Sequence, residues 1–197
     1  MAEKITVELI KKLKELSGVG LTDAKNALVE AKGDFDKALE AMRQKGLTKA
    51  EKRGDRETRE GVIDAYVHDG RIGALVEVNC ETSFVAKTDE FKALAHNIAL
   101  QIASMNPLYV SEEEIPEVDM KAKMKELEKN FKGPEDKKEM ILKGQVTKAF
   151  ADKVLMNQPY ILDDSKTVAE FIKDNIAKTG ENITIRQFKR IELGVTE

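Results

Sequence analysis

Tryptophan is absent from this chain, and Phe, Tyr and Trp together make up 5% of it. The interior must therefore be built from aliphatic side chains. A single cysteine, Cys80, excludes an internal disulfide framework and makes a reducing compartment the default. The two histidines, His68 and His96, have no second His or Cys at ligand spacing, which argues against a zinc site. A basic excess is also missing: 33 Lys and Arg stand against 36 Asp and Glu, a formal charge of -3, which disfavours a phosphate-gripping nucleic-acid binder. No apolar run approaches the length of a transmembrane span. The opening MAEKITVELIKKLKEL is charged and lacks an apolar h-region, so no signal peptide is expected. A soluble, cytoplasmic chain is the expectation, with no membrane and no direct nucleic acid among its partners. In that compartment the sequon Asn182-Ile183-Thr184 carries little meaning.

Catalytic signatures are missing too. Gly18-Val19-Gly20 is followed by Leu21, Thr22 and Asp23, without the third glycine of a dinucleotide fingerprint and without a preceding strand. No G-x-x-x-x-G-K-[ST] phosphate loop occurs. Cys80 could serve as a nucleophile only if paired with a base, yet it lies in phase with a buried strand face, where a free thiol is unremarkable. His68 beside a turn and His96 on the polar side of a helix read as surface residues. No catalytic residue, metal site or cofactor is expected.

What the chain has is 41% hydrophobic and 35% charged residues over 197 positions. That suffices for a small module followed by a medium domain. Three short helices are predicted in residues 1–46. Thr6 caps the first, with Leu9, Ile10, Leu13 and Leu16 at helical spacing. Thr22 is expected to cap the second, and Gly33-Asp34 separates it from the third, whose stripe is Phe35, Ala38, Leu39 and Met42. Gly46 reads as its stop. Residues 47–60, nearly devoid of apolar side chains, read as a charged linker or a solvated helix extension. The basic residues there are interleaved with acids, and no aromatic offers a base-stacking platform.

Residues 61–197 read as an α+β domain with a small, mainly antiparallel sheet flanked by helices. Val62 to Val67 and Ile72 to Cys80 form a hairpin about Asp69-Gly70, a turn in which both residues take positive φ. Ile72, Ala74, Val76, Val78 and Cys80 make its buried face. Phe91, Leu94, Ala95, Ile98 and Ile102 define an amphipathic helix. Ser111 to Glu114 and Thr167 to Glu170 look like capping boxes. A charged helix with the stripe Met120, Met124, Leu127 and Phe131 is broken by Gly133-Pro134, and another runs from there to about Met156. Ile183 to Leu193 is a final strand whose alternation breaks near Gln187-Phe188.

One aromatic falls outside this pattern. Asn79-Cys80-Glu81-Thr82-Ser83-Phe84-Val85-Ala86-Lys87 reads as a loop between a buried strand and a charged helix start, with Phe84 in its middle. Phe84 either staples the helix or stands as an aromatic wedge for a partner, where such side chains concentrate binding energy.

At this loop a resemblance begins. GVIDAYVHDGRIGALVEVNCETSFVAKTDEF, Gly61 to Phe91, resembles the signature of the elongation factor Ts family. LKELSGVGLTDAKNALVEAKGDFDKALEAMRQKG is similar to that family's N-terminal ubiquitin-associated-like module, and LAHNIALQIASMNPLYVSEEEIP and LMNQPYILDDSKTVAEFI continue the likeness. The resemblance covers essentially the whole chain and fits the short form of the family. It implies a guanine nucleotide exchange factor that binds elongation factor Tu, GDP-bound and nucleotide-free, and promotes GDP release without bond chemistry. It implies that Lys14, Leu21 and Thr22 touch the GTPase domain. It further implies that Thr82, Ser83, Phe84 and Val85, standing where the family has Thr-Asp-Phe-Val, carry a wedge that disturbs the magnesium and phosphate-holding elements.

The chain departs from the family pattern in places. Ser83 replaces the usual Asp and cannot exert its charge effect. Leu21 and Thr22 replace two methionines, and Lys14 stands where Arg is common, losing a bidentate contact. The last strand lacks the cysteine that links some short members, so a homodimer is left to sheet packing. A competing reading makes the ubiquitin-associated-like bundle a peptide-binding module without exchange activity.

Overall fold

The computed structural model describes residues 5–17, 20–51, 53–129, 131 and 137–195, and of residues 43 and 45–51 the backbone alone. The chain divides into two compact units, one of residues 1–62, 78–92 and 170–184, the other of residues 63–77, 93–169 and 185–197.

Helices α1 (Val7–Ser17), α2 (Leu21–Glu30) and α3 (Phe35–Glu51) open the first unit and pack on one another. Their shared core is Leu13, Ala24, Ala27, Leu28, Ala38 and Met42, with Ile5, Leu9, Ile10, Ala31, Phe35 and Leu39 around it. Small alanines on α2 and α3 let the helices approach, while Leu13 and Leu28, both fully buried, fill the space between them. Thr6 caps α1 as expected, its Oγ1 accepting the Leu9 N–H at 3.2 Å. The second helix differs from expectation: it begins at Leu21 with extended Gly20 as its N-cap, so Thr22 lies inside the first turn. Lys32 and Gly33 take positive φ, 54° and 83°, and Asp34 Oδ1 accepts the Lys37 N–H at 3.1 Å to start α3. Gly46 does not stop α3, which continues to Glu51. A mid-helix glycine costs only about 1 kcal/mol. The predicted turn residues Gly18 and Val19 lie outside the described residues, as do Gly133 and Pro134.

Strands β1 (Glu60–His68) and β2 (Ile72–Cys80) form the predicted hairpin. Asp69 and Gly70 both take positive φ, 48° and 66°, and the Arg71 N–H closes the turn on His68 O at 2.9 Å. Strand β5 (Ile183–Glu192) lies beside β2, giving the order β1-β2-β5. Ala74, Val76, Val78 and Cys80 are buried, whereas Ile72 is half-buried. The alternation of β5 shifts phase at Arg186-Gln187, both exposed, beside the expected break.

Thr82–Lys87 is not a loop: Ser83–Ala86 form the single helical turn α4. Helix α5 (Asp89–Met105) follows, with Phe91, Leu94, Ala95, Ile98, Ala99 and Ile102 buried. In the second unit His96 Nδ1 lies 3.5 Å from Asp64 of β1, and Arg190 Nε of β5 donates to Ala103 O at 3.1 Å, so α5 is tied to both edges of the sheet. Helices α6 (Glu117–Lys129) and α7 (Lys138–Phe150) pair through Ile115, Met124, Leu127, Val146, Phe150 and Val154. The Ser111 capping box does not form as expected. Glu114 Oε2 accepts the Val110 N–H at 2.8 Å, and Ser111 makes no side-chain cap bond. Strand β3 (Pro159–Tyr160) pairs antiparallel with β4 (Asp163–Thr167), and α8 (Val168–Thr179) ends at Gly180, φ 75°. The architecture is α+β: an N-terminal helical bundle, then a small sheet flanked by helices.

Candidate functional site

The end of β2 delivers the chain to α4. Thr82 sits at the N-cap in extended backbone, its Oγ1 accepting the Val85 N–H at 3.5 Å and its carbonyl accepting the Ala86 N–H at 3.2 Å. At the other end Thr88 Oγ1 donates to Val85 O at 2.8 Å and accepts the Phe91 N–H at 3.2 Å, joining α4 to the start of α5. Ala86 and Phe91 are buried beneath the turn. Both ends of α4 are therefore held by threonine hydroxyls, the usual local remedy for unpaired helix-end groups.

Phe84 projects from this turn and is 85% exposed, the largest value among the exposed large hydrophobics described. A phenylalanine left in water forgoes about 1.5–3 kcal/mol of burial. It does not staple α5. Lone exposed apolar residues are common, but this one stands on a clamped turn, where little conformational entropy is left to lose on docking.

Beneath the turn lies a polar frame that sequence reasoning did not find. The two oxygens of Glu181 accept the N–H of Thr82 at 3.0 Å and its O–H at 2.5 Å. The neighbouring Glu81 accepts the Asn182 N–H at 2.7 Å and pairs with Arg56 at 3.4 Å. Asn182, 2% exposed, donates through its amide to Gly54 O and Arg56 O at 3.1 and 2.8 Å. Thr58 and Thr184 share a hydroxyl contact at 2.8 Å. Arg56, read from sequence as part of a solvated linker, is thus an anchor of this frame, and the sequon asparagine is a buried tie. No local signal marks Glu181, which lies ninety-nine residues from Thr82.

Cys80 is buried below the same turn, and its Sγ donates to Thr82 O at 3.2 Å. Burial first, and then the nearby Glu181 carboxylate, push its thiol up to about 11. A thiol so hard to ionise is a poor nucleophile. His68 contacts Tyr66 Oη at 3.1 Å and His96 pairs with Asp64, both in the second unit. Among the described residues no group of three His, Cys, Asp or Glu could hold a metal ion, and no helix is long and apolar enough to cross a membrane.

The structure thus gathers Thr82, Ser83, Phe84 and Val85 on one turn. Lys14, Leu21 and Thr22 lie exposed on α1 and α2 of the helical module, with Leu21 52% exposed.

The chain thus holds an exposed aromatic ring on a turn fixed at both ends. The comparisons give it a family. The family model described as Elongation factor TS matches residues 2–195. The chain is 50% identical over 194 residues to elongation factor Ts of Thermotoga maritima, covering 97% of each chain. It is 48% identical over 194 residues to elongation factor Ts of Syntrophomonas wolfei, covering 96% of this chain and 91% of that one. It is 52% identical over 200 residues to elongation factor Ts of Gloeothece citriformis, covering 98% of this chain and 69% of that longer relative. The chain belongs to the elongation factor Ts family, among the elongation factors of protein biosynthesis.

Proposed function

We propose that this chain is a guanine nucleotide exchange factor for elongation factor Tu, acting in the cytoplasm during translation elongation. Residues 1–46, followed by the charged segment 47–60, dock on the GTPase domain through Lys14, Leu21 and Thr22. The α+β region 61–197 presents Thr82, Ser83, Phe84 and Val85 to the elements that hold magnesium and phosphate. The mechanism is linkage: a protein that binds the nucleotide-free GTPase more tightly than the GDP-bound form weakens GDP by the same factor. Magnesium and the phosphate cradle supply much of the nucleotide's binding energy, so displacing them speeds release with no bond made or broken. Ser83 lacks the charge to repel phosphate or attract magnesium, which leaves the work to the Phe84 ring. Both the GDP-bound and the nucleotide-free GTPase are partners, and a homodimer through sheet packing is compatible with this role.

The observation that carries this reading is the exposed Phe84 ring on a turn held at both ends. Stopped-flow release of a fluorescent GDP analogue from elongation factor Tu tests it. The chain should accelerate release, and Phe84→Ala should lose about thirtyfold of that acceleration while staying folded, the scale of a central aromatic anchor. An unchanged release rate at saturating concentration sinks the exchange reading and advances the bundle as a plain binding module.

A further inference from the structure

We propose that Glu181 is a positioning residue for nucleotide exchange, holding Thr82 and through it setting the direction of the Phe84 ring. This rests on the exchange reading above.

The argument starts from the two bonds. Thr82 commits both of its donors, N–H and O–H, to the two oxygens of one carboxylate, at 3.0 and 2.5 Å. With its proton so directed, the Thr82 hydroxyl keeps its lone pairs for the Val85 N–H. Glu181 therefore fixes the residue that starts α4, and Phe84 is two positions further on. A four-residue turn has too few internal bonds to hold its own axis, so the direction of the ring depends on what holds the ends of the turn.

Glu181 is itself built into place. Gly180 closes α8 through its N–H to Ile176 O at 2.9 Å, in a left-handed conformation suited to glycine. The Glu181 N–H donates to Thr179 Oγ1 at 3.3 Å. The next residue, Asn182, is the buried tie to Glu81, Gly54 and Arg56. The carboxylate thus stands on a corner secured from several sides, and it reaches outward to an exposed threonine. Its bonds lie at the surface, where hydrogen-bonded charges contribute little to global stability. Their consequence is local: the pose of one turn. Small errors in the pose of a wedge are costly to what it displaces.

The test uses the full chain with elongation factor Tu carrying the fluorescent GDP analogue, and two variants. Glu181→Ala should slow release about tenfold at subsaturating concentration, the scale of losing a charge-assisted pair of bonds, with the melting temperature nearly unchanged. Glu181→Gln should recover most of the rate, because the amide still accepts from Thr82 N–H and can donate to its hydroxyl oxygen. In a Phe84→Ala background Glu181→Ala should bring no further loss, since the ring it aims is gone. In the free protein, the Ala86 amide should exchange with deuterium about tenfold faster in Glu181→Ala. A Glu181→Ala rate close to that of the parent overturns the proposal, as does an equal proportional loss with and without Phe84. If the parent chain itself leaves release unaltered, the exchange reading falls and the positioning role falls with it. If the parent works and Glu181→Ala works equally well, the positioning role alone falls. Should Glu181→Ala fail to fold, Glu181→Asp, which keeps the charge but draws the carboxylate back from Thr82 and leaves the Thr82 cap on Val85 in place, gives the same comparison.

Discussion

Gly61 of β1 approaches the end of β2 so closely that a β-carbon on it would stand 2.2 Å from the Val78 carbonyl oxygen and 2.8 Å from Asn79 Cα. Both neighbours are backbone and cannot rotate away. Gly61→Ala must therefore push apart the strand that leads to Thr82. We expect it to lower stability by about 2 kcal/mol or more, as overpacking does. Gly73, with nothing within 4 Å of an added β-carbon, is the control. Gly73→Ala should stay within about 0.5 kcal/mol of the parent. Urea denaturation of the two variants side by side checks the contrast.

Gln101 and Gln158 make a buried polar pair in the second unit, at 0% and 1% exposure. The Gln101 amide donates to Gln158 Oε1 and Pro159 O, both at 3.1 Å, and its Oε1 accepts the Ile161 N–H at 2.8 Å. Gln158 Nε2 in turn donates to Met105 O and Asp152 O at 3.2 and 2.7 Å. Gln101→Leu keeps the volume but strands the Ile161 N–H, the Pro159 carbonyl and the Gln158 carbonyl oxygen. Each stranded group costs about 1–3 kcal/mol, and some relaxation is available, so a loss of about 3 kcal/mol in the urea-derived stability is expected.

The parts of this fold legible in the sequence are those whose signal is local. Asp69-Gly70 announced the hairpin because its turn needs two positive φ values. The Phe91 to Ile102 stripe announced α5 because one helical face is buried. Phe84 stands out as an aromatic in a polar stretch, and the structure leaves its ring 85% exposed. Strand β4, DDSKT, carries little local signal, because Asp and Lys are poor strand formers and Thr167 alone favours extension; its pairing with β3 makes it a strand. Gly46 was misread as a stop because glycine ends a helix only when the chain needs to turn there. Glu181 and Arg56 were invisible as parts of the site. A surface acid and a linker arginine have the same local pattern whether they face water or a partner from a distant segment.

Cys80 gives the chain an alkaline signature. Its thiol, ordinarily near 9.0, is raised to about 11 by burial and by the Glu181 carboxylate. In that window the folded chain keeps a proton that the unfolded chain has released. The contribution to stability is therefore complete below pH 9 and is lost as pH rises toward 11. The urea midpoint of the parent should fall more steeply between pH 8 and 10.5 than that of Cys80→Ala, which carries a constant cavity penalty but no thiol. Iodoacetamide should label the native chain slowly at pH 8 and the urea-unfolded chain quickly. Equal slopes for the two proteins would remove the buried thiol from the account.

Phe84 should separate function from stability. With its ring 85% exposed, it contributes little to the core, so Phe84→Ala is expected to shift the unfolding free energy by no more than about 0.5 kcal/mol. If the ring is the wedge, the same change lowers the acceleration of GDP release about thirtyfold. Phe84→Leu, which keeps an apolar side chain but loses the planar ring, should fall between the two. A structural role predicts a different pattern: stability falls with side-chain size, and exchange follows it. Measuring urea stability and release rate on the same three preparations decides between them, because a wedge moves the rate while the midpoint stays still, and a staple moves both together.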